Sequence, residues 1–311
     1  MAARIKKQFD SCTTNYFIYL VIKSFMIKSL CISIALFLTV IVMSMIGIYP
    51  LKQMVYAHTF SGDESAAFLA LVRQIEAEMG LVNTNLSSNI TLAQEHAEHA
   101  TEHLDTNTTK ELAERNKRVA TDLTTELADL QNAIKAKPAP AVKEIRNNIS
   151  NINDTLQEAV SVRIEKDQLN NSTVNALAIN DILGEVLESY GAAYGIEEEE
   201  GEEGKEYGNM TGTETNTTGT EASTNTTTII DQAEYQSAQA YANEAKQMLD
   251  EIKVLAPSNA TSAISNVESG LNEMITAINN KAPFNSVDEI VDSKVLPSLK
   301  TAFNLTQLSL E

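Results

Sequence analysis

Three of the chain's four histidines fall in one short stretch, EHAEHATEH, which runs from Glu95 to His103. His96, His99 and His103 are spaced i, i+3, i+7, so on a helix they lie within roughly 60° of one another at 100° per residue. His99 and His103 form an i, i+4 pair, the spacing with which zinc enzymes chelate one divalent ion from a single helix face. Glu95 and Glu102 are near enough in sequence to serve as outer hydrogen-bonding partners or extra ligands. Imidazole donors suit Cu²⁺ and Zn²⁺ ahead of iron. The fourth histidine, His58, offers a different chelate. If the chain were cleaved after Ala57, its free amine and ring would hold one ion in the manner of a copper histidine brace, with a helical histidine completing the set. The plain alternatives are a polar helix flank for the cluster and a frayed terminus for His58.

No catalytic constellation accompanies these residues. The sequence has no Gly-rich phosphate loop, no G-x-S-x-G, no H-E-x-x-H, and no cysteine outside the first 57 residues. An enzyme and an organic cofactor are therefore not expected.

The elements that must position the histidines are helices. In DESAAFLALVRQIEAEMGLVNTNLSS the apolar residues Phe68, Val72, Ile75, Met79, Val82 and Leu86 step by three and four. The histidines ride on the next helix, residues 91–104, whose apolar stripe is Ile90, Ala93, Ala97, Ala100 and Leu104. On that wheel the imidazoles sit on the flank of the stripe, where the helix meets a neighbour. Further helices are predicted over 109–136, 141–169 and 173–190, the last stopped by Gly191 and Gly195. Short polar turns between them make an all-α helical bundle over residues 58–195. Residues 196–228 are acidic and rich in Gly and Thr, with too little apolar surface to fold, and read as a disordered linker. As a free coil its ends would lie about 30 Å apart. Three more helices, 230–255, 261–279 and 287–303, form a domain over 229–311 that either stands alone or packs back on the first. Pro297 should kink the last of them.

Residues 1–57 read as a signal peptide or an uncleaved signal anchor. The apolar run LCISIALFLTVIVMSMIGIY, residues 30–49, is just long enough to span a bilayer core of about 30 Å. Arg4, Lys6, Lys7, Lys23 and Lys28 precede it, which places the body outside by the positive-inside rule. Val55 and Ala57 stand at −3 and −1 of a cleavage site before His58, and Met26 offers an alternative start. Both cysteines, Cys12 and Cys31, lie in this leader, so the exported part has neither a disulfide nor a thiolate site.

The leader holds six basic residues and one acidic, which leaves the body with 17 basic against 41 acidic residues and a net charge of −24. Such a surface repels nucleic acid and anionic lipid and attracts cations. The partners expected are the membrane, through the leader, and other envelope proteins. Twelve Asn-x-Ser/Thr acceptors mark a glycosylated surface protein: Asn85, Asn89, Asn107, Asn148, Asn153, Asn170, Asn171, Asn209, Asn216, Asn225, Asn259 and Asn304. Chance alone creates some of these in a chain so rich in Asn and Thr.

The segments AHTFSGDESAAFLALV, LAQEHAEHATEHL and YQSAQAYANEAKQML resemble those of exported helical proteins from ammonia-oxidising archaea. The resemblance covers most of the body. It implies a copper-dependent host and a glycosylating archaeal pseudo-periplasm, and it supplies no catalytic residues. The leading expectation is an extracytoplasmic protein that binds or handles Cu or Zn. The other is a structural or interaction module of the cell envelope with no ligand.

Overall fold

The computed structural model describes residues 62–137, 141–196 and 228–305. Among them every regular element is helical, as the apolar spacing requires. The leader with its apolar run at 30–49, His58, and most of the 196–228 segment with Asn209, Asn216 and Asn225 lie outside the described residues. No helix among the described residues is long and apolar enough to cross a membrane.

Helix α1 (Gly62–Asn85) buries Phe68, Val72, Ile75, Met79 and Val82 along the predicted stripe. Helix α2 (Ile90–Glu102) opens where the Asn89 side chain accepts from the Leu92 amide, satisfying one of the orphan donors of the first turn. Its buried face is Ala93, Ala97 and Ala100, small residues that bring α1 close on one side. Ile90, predicted in the stripe, is 47% exposed at the helix start.

Helix α3 (Thr106–Lys135) packs on α2 and on α4 (Val142–Arg163). It is broken at Asn116 (φ −152°, ψ 97°), whose Oδ1 accepts from the Arg118 and Val119 amides. Asn116 is thus an internal N-cap, the role a short polar side chain takes when it competes with the helix backbone. The helix predicted over 141–169 stops early, because Ile164 is extended and a short turn, α5 (Lys166–Leu169), follows. Helix α6 (Ser172–Ala192) starts at an Asn171 cap and ends just before Gly195, which takes φ +69°.

Helix α7 (Gln232–Ile252) is capped by Asp231, which accepts from the Ala233 and Glu234 amides. It lies along α6 and also touches α1, α2 and α8 (Thr261–Asn279). The described helices form one compact unit, so those on both sides of the Gly/Thr-rich segment share a core. The expected 30 Å separation of that segment's ends is corrected. The Ile230 and Asp231 amides donate to the Ala193 carbonyl, at 2.9 and 3.3 Å. The carbonyls left open at the end of α6 hold the returning chain there, a pairing that coil statistics do not contain.

The last predicted helix divides into α9 (Phe284–Ile290), a π turn (Val291–Val295) and α10 (Leu296–Phe303). Pro297 supplies no N–H for the carbonyl four residues before it, and the break takes the form of this wider turn immediately upstream. Val295 of the turn is fully buried beside Gly270 of α8, where an added Cβ would come within 2.9 Å of Val295 Cγ2. Gly270→Ala therefore lowers the melting temperature, although alanine is the better helix former by about 1 kcal/mol. An unchanged or higher melting temperature would show that the turn yields.

Candidate metal centre

The imidazoles are not on a solvated flank. His96 is fully buried, and its Nδ1 lies 2.8 Å from Oε2 of Glu78, a carboxylate of α1 that is itself fully buried. His99 is 22% exposed, with Nδ1 4.0 Å from the same oxygen. One ligand atom from each of Glu78, His96 and His99 lies within 4.8 Å of the other two. The two rings stand nearly perpendicular, at 89°, with centroids 5.9 Å apart. Three converging donors, two imidazoles and one carboxylate, form a group that could hold a metal ion.

The wheel placed the histidines where the helix meets a neighbour, and the structure covers that flank more deeply than one neighbour would. Two further helices cover that flank: α1 brings Glu78, and α7 brings a row of polar side chains. Glu78 escaped the sequence reading, yet its signal was there. It sits three residues after Ile75 and four before Val82, a carboxylate inside the apolar stripe.

Helix α7 closes the cluster. Ser237 Oγ and Tyr241 Oη donate to Glu78 Oε1 at 2.7 and 2.6 Å. His103, predicted as a ligand, does not join the triad. Its Nε2 lies 2.7 Å from Tyr241 Oη. The Tyr241 O–H is committed to Glu78 Oε1, so His103 Nε2 carries the hydrogen and donates to the phenol oxygen. Burial pushes the His103 imidazole below its ordinary range, against the pull of Glu78. Glu95 is half-buried and Glu102 exposed, and Glu78 takes the carboxylate part assigned to them.

The protonation of His96 follows from the network. Asn85 Nδ2 donates to the Leu81 carbonyl, at 3.0 Å, which fixes the orientation of the amide. The same nitrogen donates to Gln236 Oε1 at 2.9 Å, so that atom is an acceptor. His96 Nε2 lies 2.9 Å from Gln236 Oε1 and must carry a hydrogen, while Nδ1 faces the carboxylate. The directions of the two shifts favour an imidazolium paired with an ionised Glu78. Burial alone would raise the Glu78 carboxyl, but hydrogen bonds from His96, Ser237 and Tyr241 and the His96 charge hold it below its usual value. Burial likewise opposes the His96 charge, and Glu78 overcomes it to raise the imidazole. A metal ion at this site would take the place of the Nδ1 proton.

A second group of carboxylates stands beside the first. Burial, with the charges of Glu188, Glu234 and Asp181, pushes Glu185 of α6 up to about 7. Burial raises Glu234 of α7 too, and its Oε1 is 3.6 Å from His99 Nε2.

Among the glycan acceptors, Asn85 is corrected: it is 5% exposed and its amide nitrogen is engaged with Leu81 and Gln236, leaving no room for a sugar. Asn107, Asn170, Asn171, Asn259 and Asn304 are exposed; Asn148 and Asn153 are half-buried, and Asn89 is exposed while capping α2.

Fold and site together define a class: a helical bundle burying a two-histidine, one-carboxylate cluster beneath a wall of hydrogen-bond partners. No family model, no curated protein and no solved structure matches the chain.

Proposed function

We propose that this is an exported helical protein of the cell surface that binds one divalent metal ion through Glu78, His96 and His99. The observation that carries the reading is the convergence of both Nδ1 atoms on a single buried carboxylate oxygen. The carboxylate changes the choice of metal. Cu and Zn were equal on imidazoles alone, whereas two imidazoles with one hard oxygen favour Zn²⁺. With about 2.05 Å bonds in a tetrahedral site, ligand atoms lie about 3.3 Å apart. The hydrogen-bonded pair opens by about half an ångström to that value, and His99 closes in. The role is binding and handling, with no catalytic step. Export, glycosylation, the membrane leader, envelope partners and the kinship with proteins of ammonia-oxidising archaea belong to the same proposal and rest on the sequence.

Calorimetric titration of the purified protein with Zn²⁺ in high salt tests it, because salt screens diffuse binding to the acidic surface. One equivalent is expected, with affinity falling at low pH as the imidazoles are protonated. Equal uptake by wild type and a variant with His96, His99 and His103 all replaced by Ala would dismiss the site.

One observation favours a second reading. Both oxygens of Glu78 and both nitrogens of His96 already have partners, so the network is complete as a structural device that fixes helix register. An envelope module without a ligand would need no more.

A further inference from the structure

Resting on that metal site, we infer that Glu234 of α7 is the residue that positions His99 for the metal, by accepting the hydrogen on its outer nitrogen. A histidine that ligates through one ring nitrogen almost always donates its other N–H to a carboxylate or carbonyl, which fixes tautomer and ring orientation. In this bundle α7 supplies those outer partners throughout. Gln236 holds the outer nitrogen of His96, and Ser237 and Tyr241 hold the second oxygen of Glu78. Glu234, Ser237 and Tyr241 follow one another at i, i+3, i+7 and so share the α7 face turned to the cluster.

His99 is the exception. Its Nδ1 is 4.0 Å from Glu78 and its Nε2 is 3.6 Å from Glu234, both beyond hydrogen-bond length. The ring thus stands between two carboxylates of different helices, bonded to neither. An ion seated on Glu78 and His96 leaves Nδ1 as the converging donor of His99. The hydrogen must then reside on Nε2, and the acceptor facing it is Glu234 Oε1. Closing that gap by about 0.8 Å makes an ordinary hydrogen bond. Glu234 is prepared for this, since its carboxyl is already held by Ser189 of α6. At 26% side-chain exposure beside a His99 that is 22% exposed, it also stands at the open edge of the cluster.

The test measures Zn²⁺ affinity of the full chain by competition with a chromophoric chelator, at low and high salt, for wild type, Glu234→Gln, Glu234→Ala and His99→Ala. Glu234→Ala should bind about 10–100-fold more weakly. Glu234→Gln keeps an acceptor oxygen and should stay within a few-fold of wild type. In the zinc-loaded wild type, ¹⁵N shifts of His99 should show Nδ1 metallated and Nε2 protonated. A purely structural residue would shift the metal-free melting temperature while leaving Zn²⁺ affinity at the wild-type value. If His99→Ala abolishes binding while both Glu234 variants match wild type, the positioning role is wrong and the metal site stands. Equal losses in Gln and Ala that vanish at high salt would also overturn it, leaving only a charge effect. A wild type that binds no Zn²⁺ removes the metal site itself, and this role with it.

Discussion

Glu78→Ala should cost the protein about 3–5 kcal/mol, the usual penalty for removing one partner of a buried ion pair. The substitution strips the acceptor from three donors at once: His96 Nδ1, Ser237 Oγ and Tyr241 Oη. His96 then holds a charge in a site that has lost its counter-ion, and it answers by losing its proton. Denaturant unfolding with and without the substitution measures the difference. A loss below about 1 kcal/mol would mean that water reaches the cluster and the burial is illusory. Glu78→Gln should fall between, since its oxygen still accepts from Ser237 and Tyr241 while the charge is gone.

The same pair sets a pH window. Glu78 has a depressed carboxyl, so its contribution is present above the ordinary value of 4.5 and is lost as pH falls through the lowered one. His96 is raised, so its contribution is full below 6.5 and is lost as pH rises through the higher value. The pair is therefore worth most between about pH 4.5 and 6.5. Glu185 and Glu234 also titrate here and are raised, so their ionisation destabilises as pH rises. The clean measurement is the difference between wild type and Glu78→Gln across pH, in which those common terms largely cancel. That difference should peak inside the window and shrink on both sides; a flat profile would deny the ion pair.

What was legible in the sequence is the period, and what was hidden is the partner. The stripe from Phe68 to Val82 became the buried face of α1, because a 3.6-residue repeat of apolar side chains has only one way to leave water. The apolar spacing did not report the helix starts, which are set by capping residues: Asn89, Asp105, Asn171 and Asp231 each stand one residue ahead of a helix. The histidine cluster announced itself by type and spacing, but its burial did not. Burial of His96 depends on α7, which is about 140 residues away in the chain and separated from it by the acidic Gly/Thr-rich segment. No local pattern encodes that pairing. Glu78, Ser237 and Tyr241 could have been suspected as polar residues inside apolar stripes, the mark of a paired interior. The contact itself comes only from packing. The break at Asn116 was invisible for a related reason, whereas Pro297 announced an interruption and only its form as a π turn was hidden.

His99→Ala should separate binding from folding. His99 makes no hydrogen bond to Glu78 or Glu234, at 4.0 and 3.6 Å, and it keeps partial access to solvent. Loose ion pairs of that kind contribute about 0–1 kcal/mol, so the variant should melt close to wild type without metal. His96→Ala, by contrast, empties a fully buried position and should be destabilised with or without metal. With Zn²⁺ at 100 times its dissociation constant, wild type gains about 2.7 kcal/mol of stability, because the ion binds only the folded chain. His99→Ala should lose nearly all of that gain while retaining its metal-free stability. Paired denaturation curves for the two proteins, with Zn²⁺ and with a chelator, read both numbers in one experiment. If the variant keeps the full metal-dependent gain, His99 is not a ligand, and the convergence of its Nδ1 on Glu78 is a consequence of packing alone.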